Sequence, residues 1–141
     1  DTPVLKVKID GFDTHEDQPW RHQRLLENLG RALSGFAQQM QKIGQWDNTL
    51  VLTYSEFGRR AVENSTNGTD HGTAAPHFLS GGAINGGIYG KHPSLSALID
   101  GDMQFTMDYR SVYEWILSQW FEIESNRFKE YRTDKLNSLM A

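Results

Sequence analysis

The sequence predicts an α/β fold, a parallel sheet flanked by helices with a small hairpin beside it. Three observations carry that reading. A strand pattern over residues 5–9, a long amphipathic stretch and a second strand pattern over residues 49–54 follow one another, the order of a right-handed βαβ unit. Polar motifs stand just beyond both strand patterns, where α/β folds place their ligands. A further amphipathic stretch near residue 112 supplies a second helix to cover the sheet.

Leu5-Lys6-Val7-Lys8-Ile9 alternates apolar and polar residues, as a half-buried strand does. A polar loop, residues 10–17, leads to Pro19, which suits the first turn of a helix because its missing N–H is unpaired there in any case. Leu25, Leu26, Leu29, Leu33, Phe36, Met40 and Ile43 then recur at three- and four-residue spacing and form one apolar helix face. Gly44 ends that helix, and Trp46-Asp47-Asn48 makes a turn. Thr49-Leu50-Val51-Leu52-Thr53-Tyr54 is apolar and β-branched almost throughout, the pattern of a central parallel strand covered on both faces.

Residues 55–76 form a long polar stretch, read as an ordered functional loop. His77-Phe78-Leu79 and the run Gly81-Gly82-Ala83-Ile84 predict a hairpin turning on Asn85-Gly86. Asp108 is a good N-cap for a helix carrying Val112, Trp115, Ile116 and Trp120. Residues 122–141 read as a mixed-charge tail with a short terminal helix carrying Phe128, Tyr131 and Leu136.

Composition narrows the function classes. At 141 residues the chain is one domain by length. A net charge of −4 without a basic patch argues against nucleic-acid binding. No apolar run is long enough to span a membrane. The absence of cysteine removes disulfides and thiolate sites, so a transition metal must be held by His, Asp or Glu. A chain that opens on Asp1 and enters a strand pattern at once reads as the carboxyl-terminal portion of a longer protein.

Three motifs carry chemistry: Gly11-Phe12-Asp13-Thr14-His15, Ser55-Glu56-Phe57-Gly58-Arg59-Arg60 and Gly68-Thr69-Asp70-His71-Gly72. In extended backbone, Asp13 and His15 point to the same side and can reach one ion. Taken singly, Asp13 is a turn residue and His15 an ordinary surface histidine. His71, between flexible glycines, supplies a second imidazole, and Asp-His-His leaves an open position for water or substrate. Carboxylate plus imidazole suits zinc or manganese. Glu56 offers a further ligand or a general base, and Arg59 a fork for a phosphate or sulfate oxygen. The plainer reading of those two is an ion pair pinning the loop. The glycines of residues 81–90 lack the Lys-Ser/Thr ending of a phosphate loop. His22 and His92 are expected to face solvent, and His77 to stand behind the site.

With those residues in hand, the chain resembles the domain-of-unknown-function family 1501, a branch of the alkaline-phosphatase superfamily. The landmarks are the three motifs, with Gln18, Asn64, the glycine pairs Gly81-Gly82 and Gly86-Gly87, and Asp108-Tyr109-Arg110, in order over residues 4–121. The resemblance implies an alkaline-phosphatase-like parallel sheet between helices. Residues 1–121 would be its carboxyl-terminal part and 122–141 a terminal helical tail.

It also implies hydrolysis or transfer of phosphate or sulfate esters at two metal ions. One ion is held by an Asp, a following His and a later His, roles that Asp13, His15 and His71 match in order. The second uses an Asp-His pair after a strand, an amino-terminal Asp and the nucleophile. Here Ser55-Glu56-Phe57 stands at the post-strand position, and the other two groups have no counterpart. The expected partners are therefore an anionic small-molecule ester and an amino-terminal segment of the same protein. The resemblance further implies a bacterial protein exported to the periplasm or secreted.

Two functions follow as expectations. The first is a metal-dependent hydrolase of phosphate or sulfate esters, or a fragment of one. In it Asp13, His15 and His71 hold a divalent ion, Glu56 is a ligand or base, and Arg59 binds an ester oxygen. The second is a non-catalytic binding or assembly domain that keeps the fold with a degenerate metal site.

Overall fold

A computed structural model describes residues 4–140. Its elements make a small α/β fold with one long helix, α1 (Gln18–Lys42), and two small antiparallel ladders. The first ladder pairs β1 (Val51–Leu52) with β4 (Leu79–Ser80), and the second pairs β2 (Gly58–Glu63) with β3 (Thr69–Gly72). Helix α2 (Tyr109–Trp115) runs on into one wider turn, Ile116–Trp120, where the Phe121 N–H reaches back to the Ile116 carbonyl at 3.0 Å.

Helix α1 forms where its apolar period, Pro19 and Gly44 place it. The expected stop is present: Gly44 takes the left-handed φ of 66°, and the N–H groups of Gly44 and Gln45 close on the Gln41 and Met40 carbonyls. The helix start is built differently. Asp17 makes no side-chain cap; instead the Asp17 and Gln18 N–H groups donate to the Thr66 and Asn67 carbonyls at 3.1 and 2.9 Å. The turn between β2 and β3 thus satisfies two of the helix's otherwise unpaired donors. Leu25, Leu29, Leu33 and Met40 are half-buried on one face, while Leu26, Phe36 and Ile43 remain exposed, and no residue of α1 is fully buried.

Two expectations are corrected, and a third is met only in part. The α/β class is present, and both ladders among the described residues are antiparallel. Among the described residues, 5–9 pair with no strand, and Leu5 and Val7 are 80% and 83% exposed. Their alternation creates an apolar face, but a strand also needs a hydrogen-bonding neighbour, and none of the described residues provides one. The hairpin on Asn85-Gly86 is absent as well. Leu79–Ser80 pairs backwards onto Val51–Leu52, and Ile84 bridges to Met140. Asn85 donates from its amide to the Ser138 and Met140 carbonyls, each at 3.0 Å, and so ties down the chain's end rather than turning it.

The core cluster draws no residue from α1. Trp115, Leu136 and Leu139 are buried together, with Leu50, Leu79, Val112 and Trp120 against them. Residues 122–140 form no regular α-helix. They fold as two short 3₁₀ turns, Lys129–Tyr131 and Asp134–Leu136, and supply two of the three core side chains. Glu114, buried beside them, is neutralised by Arg132, whose Nε and Nη2 both donate to Oε1 at 2.9 and 2.7 Å. The core is small for the chain. The accessible surface is 10329 Å², where a compact monomer of 16.1 kDa exposes about 7,400 Å².

Asp108 caps α2 as expected, accepting from the Arg110 N–H at 2.9 Å and pairing with the Arg110 guanidinium at 2.8 and 2.5 Å. The arginine in turn lies over the Tyr131 ring at 3.9 Å and joins α2 to the terminal segment. The side-chain hydrogen bonds from Arg110 hold the Asp108 carboxyl below the usual carboxylate range. A lowered folded value means stability that is present above about pH 3.9, the ordinary value, and is lost as pH falls through the folded one. Asp108→Asn, which still caps the helix, is expected to flatten the acid limb of a pH–stability curve measured by circular dichroism. An unchanged acid limb would show that the pair contributes nothing.

Candidate metal centre

The loop before α1 and the β2–β3 hairpin build the site together. Thr14 is buried, its hydroxyl accepting from Gln18 Nε2 at 2.9 Å, and this pins the middle of the loop. Asp13 and His15, on either side of it, turn outward. Their backbone is held to the hairpin: the His15 carbonyl accepts from Asn64 Nδ2 at 2.9 Å and from Thr66 Oγ1 at 2.7 Å. The approach is close enough to require glycine at position 68. A β-carbon there would stand 2.3 Å from the His15 carbonyl carbon and oxygen.

His71 comes from β3, directly opposite Arg59 of β2. The Phe57 ring stacks on its imidazole with centroids 3.6 Å apart and planes inclined by 11°. The apolar ring fixes the orientation of His71 without competing for either nitrogen.

These elements bring three ligand-type atoms to one point. Asp13 Oδ1 lies 2.9 Å from His15 Nε2 and 2.8 Å from His71 Nε2, and the two nitrogens are 3.1 Å apart. Ligands bound to a single ion at about 2.0–2.2 Å lie roughly 2.8–3.6 Å from one another for angles between square and tetrahedral, so the trio fits one divalent ion. The side chains are open to solvent, His15 and His71 being 45% and 46% exposed, so an ion and a further ligand can reach them. The hydrogen-bond contact with His71 Nε2 holds the Asp13 carboxyl below the usual range, and the charges of His15, His71 and Arg59 act in the same direction. Asp13 therefore keeps the ionised form that a metal ligand needs.

The other expected site residues stand differently. Glu56 precedes β2 as an exposed residue and is not part of the trio. Arg59 is largely covered, and its guanidinium is engaged with backbone: Nη1 donates to the Thr69 carbonyl at 2.5 Å and Nη2 to the Phe12 carbonyl at 2.6 Å. It stands 3.6 Å from Asp13, clamping loop to hairpin. His77 bonds to the Thr53 carbonyl, away from the trio. His22 does not simply face solvent: it is half-buried, its ring edge-on to Phe12 at 5.8 Å.

Sequence reasoning missed the support of the site. Asp70, Asn64 and Phe57 stand in the quoted motifs and landmarks, with Asp70 read at most as a turn residue bonding its own backbone, and none was given a part in holding the site. The signal for it was Asn67-Gly68, a turn dipeptide that places positions 64 and 70 at the head of one hairpin.

No curated protein and no solved structure matches the chain. The family model described as "Protein of unknown function (DUF1501)" matches residues 1–123, and the chain belongs to that family.

Proposed function

We propose that this chain supplies a divalent-metal centre, for zinc or manganese, to a hydrolase of phosphate or sulfate esters. The observation that supports it most is the meeting of Asp13 Oδ1, His15 Nε2 and His71 Nε2 within 3.1 Å. One carboxylate and two imidazoles, drawn from a loop and a strand 56 residues apart in sequence, suit borderline divalent ions. When bound, such an ion polarises an ester oxygen and offsets charge developing on the leaving group.

The chain's own residues have separable tasks. Asp13 holds negative charge at the centre, His15 and His71 offer neutral nitrogen donors, and Phe57 shields one face of His71. Arg59, expected to grip an ester oxygen, serves better as the clamp that keeps Asp13 beside His71, because each terminal nitrogen already donates to a backbone carbonyl. Glu56 would be a base or an additional ligand only after rearrangement. The alkaline-phosphatase-like parallel sheet, an upstream segment carrying the nucleophile, and export belong to this proposal too.

A non-catalytic binding or assembly domain is the second reading, favoured by the engaged guanidinium of Arg59. Activity assays of residues 1–141 with added zinc or manganese separate the two. Little or no turnover of aryl phosphates or sulfates is expected from this chain alone, because metal does not replace a covalent nucleophile. The full reading frame should turn them over. A full-length protein that binds metal and hydrolyses neither ester class would leave the binding-domain reading standing. Saturable turnover by residues 1–141, lost in His15→Ala, would refute the need for an upstream nucleophile.

A further inference from the structure

We infer that Asn64 and Asp70 are positioning residues that set the tautomer of His15, so that its Nε2 presents a lone pair to the centre. This inference rests on the metal-centre reading and concerns residues to which that reading gives no task. A neutral imidazole has one N–H, and His15 stands between two carboxylates that compete for it. Asp13 Oδ1 is 2.9 Å from Nε2, and Asp70 Oδ1 is 3.4 Å from Nδ1. A proton on Nε2 would be spent on Asp13 and leave the lone pair on Nδ1, facing Asp70 and away from the centre. A proton on Nδ1, accepted by Asp70, frees Nε2. Such carboxylate–histidine pairing behind a metal fixes both ring orientation and tautomer.

Asn64 makes the outcome depend on more than one long contact. Its Nδ2 donates to Asp70 Oδ1 at 3.2 Å and to the His15 carbonyl at 2.9 Å, so one amide holds both the ring's backbone and the acceptor for its proton. Its Oδ1 accepts from the Thr66 and Gly68 N–H groups, each at 3.0 Å. Both ends of the amide are occupied, which fixes the direction in which Nδ2 points.

The test reads the tautomer directly, by long-range ¹H–¹⁵N correlation of the imidazole nitrogens in ¹⁵N-histidine-labelled chain. In parallel, zinc and manganese affinities are measured by calorimetry. Wild type is expected to carry the His15 proton on Nδ1, and Asp70→Asn to move it to Nε2 while the His71 signals stay in place. Asn64→Asp keeps the shape and the turn acceptor but removes both donors, and should move it likewise. Both variants should bind metal about 10–100-fold more weakly than wild type. An unchanged His15 tautomer in Asp70→Asn overturns the inference, as does zinc affinity within twofold of wild type. Wild-type chain that binds neither ion refutes the metal reading alone, since the metal-free tautomer still decides the role of Asp70.

Discussion

Replacing either His15 or His71 with alanine is expected to abolish the thermal stabilisation that zinc or manganese gives the wild-type chain. An ion that binds only the folded state stabilises by mass action, about 2.7 kcal/mol at a hundredfold excess over Kd. For a domain of this size that is a rise in Tm of roughly 8–11 °C, reversed by chelator. Each single variant removes one of three donors that meet at one point, so the double variant should add little to either. His92→Ala is the control, an exposed residue whose one hydrogen bond among the described residues is to its neighbour's carbonyl at 2.7 Å. His22 would be a poor one, because it packs on Phe12, whose carbonyl anchors Arg59. Calorimetric melts with ion, with chelator and with neither decide the matter. Superimposable wild-type curves would reduce the trio to polar loop residues.

The second large effect is expected from Trp115→Ala. Trp115 is 4% exposed and is the largest of the three side chains in the core cluster. Truncating a buried tryptophan costs about 3–5 kcal/mol when the surroundings do not collapse into the space. Leu136 and Leu139 are held by 3₁₀ geometry and by the amide of Asn85, so little collapse is available to them. A fall in Tm of roughly 10–20 °C is expected by circular dichroism. A fall under about 3 °C would show that stability resides elsewhere, in α1 or in the β2–β3 hairpin.

What the sequence disclosed was local. Helix α1 was legible because its apolar spacing, Pro19 and Gly44 are all short-range signals, and Asp108 announced α2 in the same way. The residues that meet at the centre were legible as motif residues, though not the surface that carries them. Strands β2 and β3 escaped notice because Arg59, Arg60, Glu63, Asp70 and His71 are polar and show no alternation. What makes them strands is pairing with each other and the cap they provide to α1. Residues 5–9 failed in the opposite sense: their alternation is clean, but pairing depends on a neighbour that no local pattern specifies. Leu136 was read only as part of a terminal helix and Leu139 was hidden among polar residues, because burial by a distant tryptophan leaves no periodicity behind.

The large exposed surface has a consequence for how this fold responds to denaturant. An unfolded chain of this mass exposes roughly 23,000 Å², so folding to 10329 Å² removes about four-fifths of what a compact fold would remove. The urea dependence of stability scales with that area, and so, weighted by its apolar part, does the heat-capacity increment. Both should be about a fifth smaller than is usual for 141 residues, giving a shallow urea transition and a flat stability curve. Any polypeptide that came to cover residues 5–9 and the outer face of α1 would steepen both slopes together.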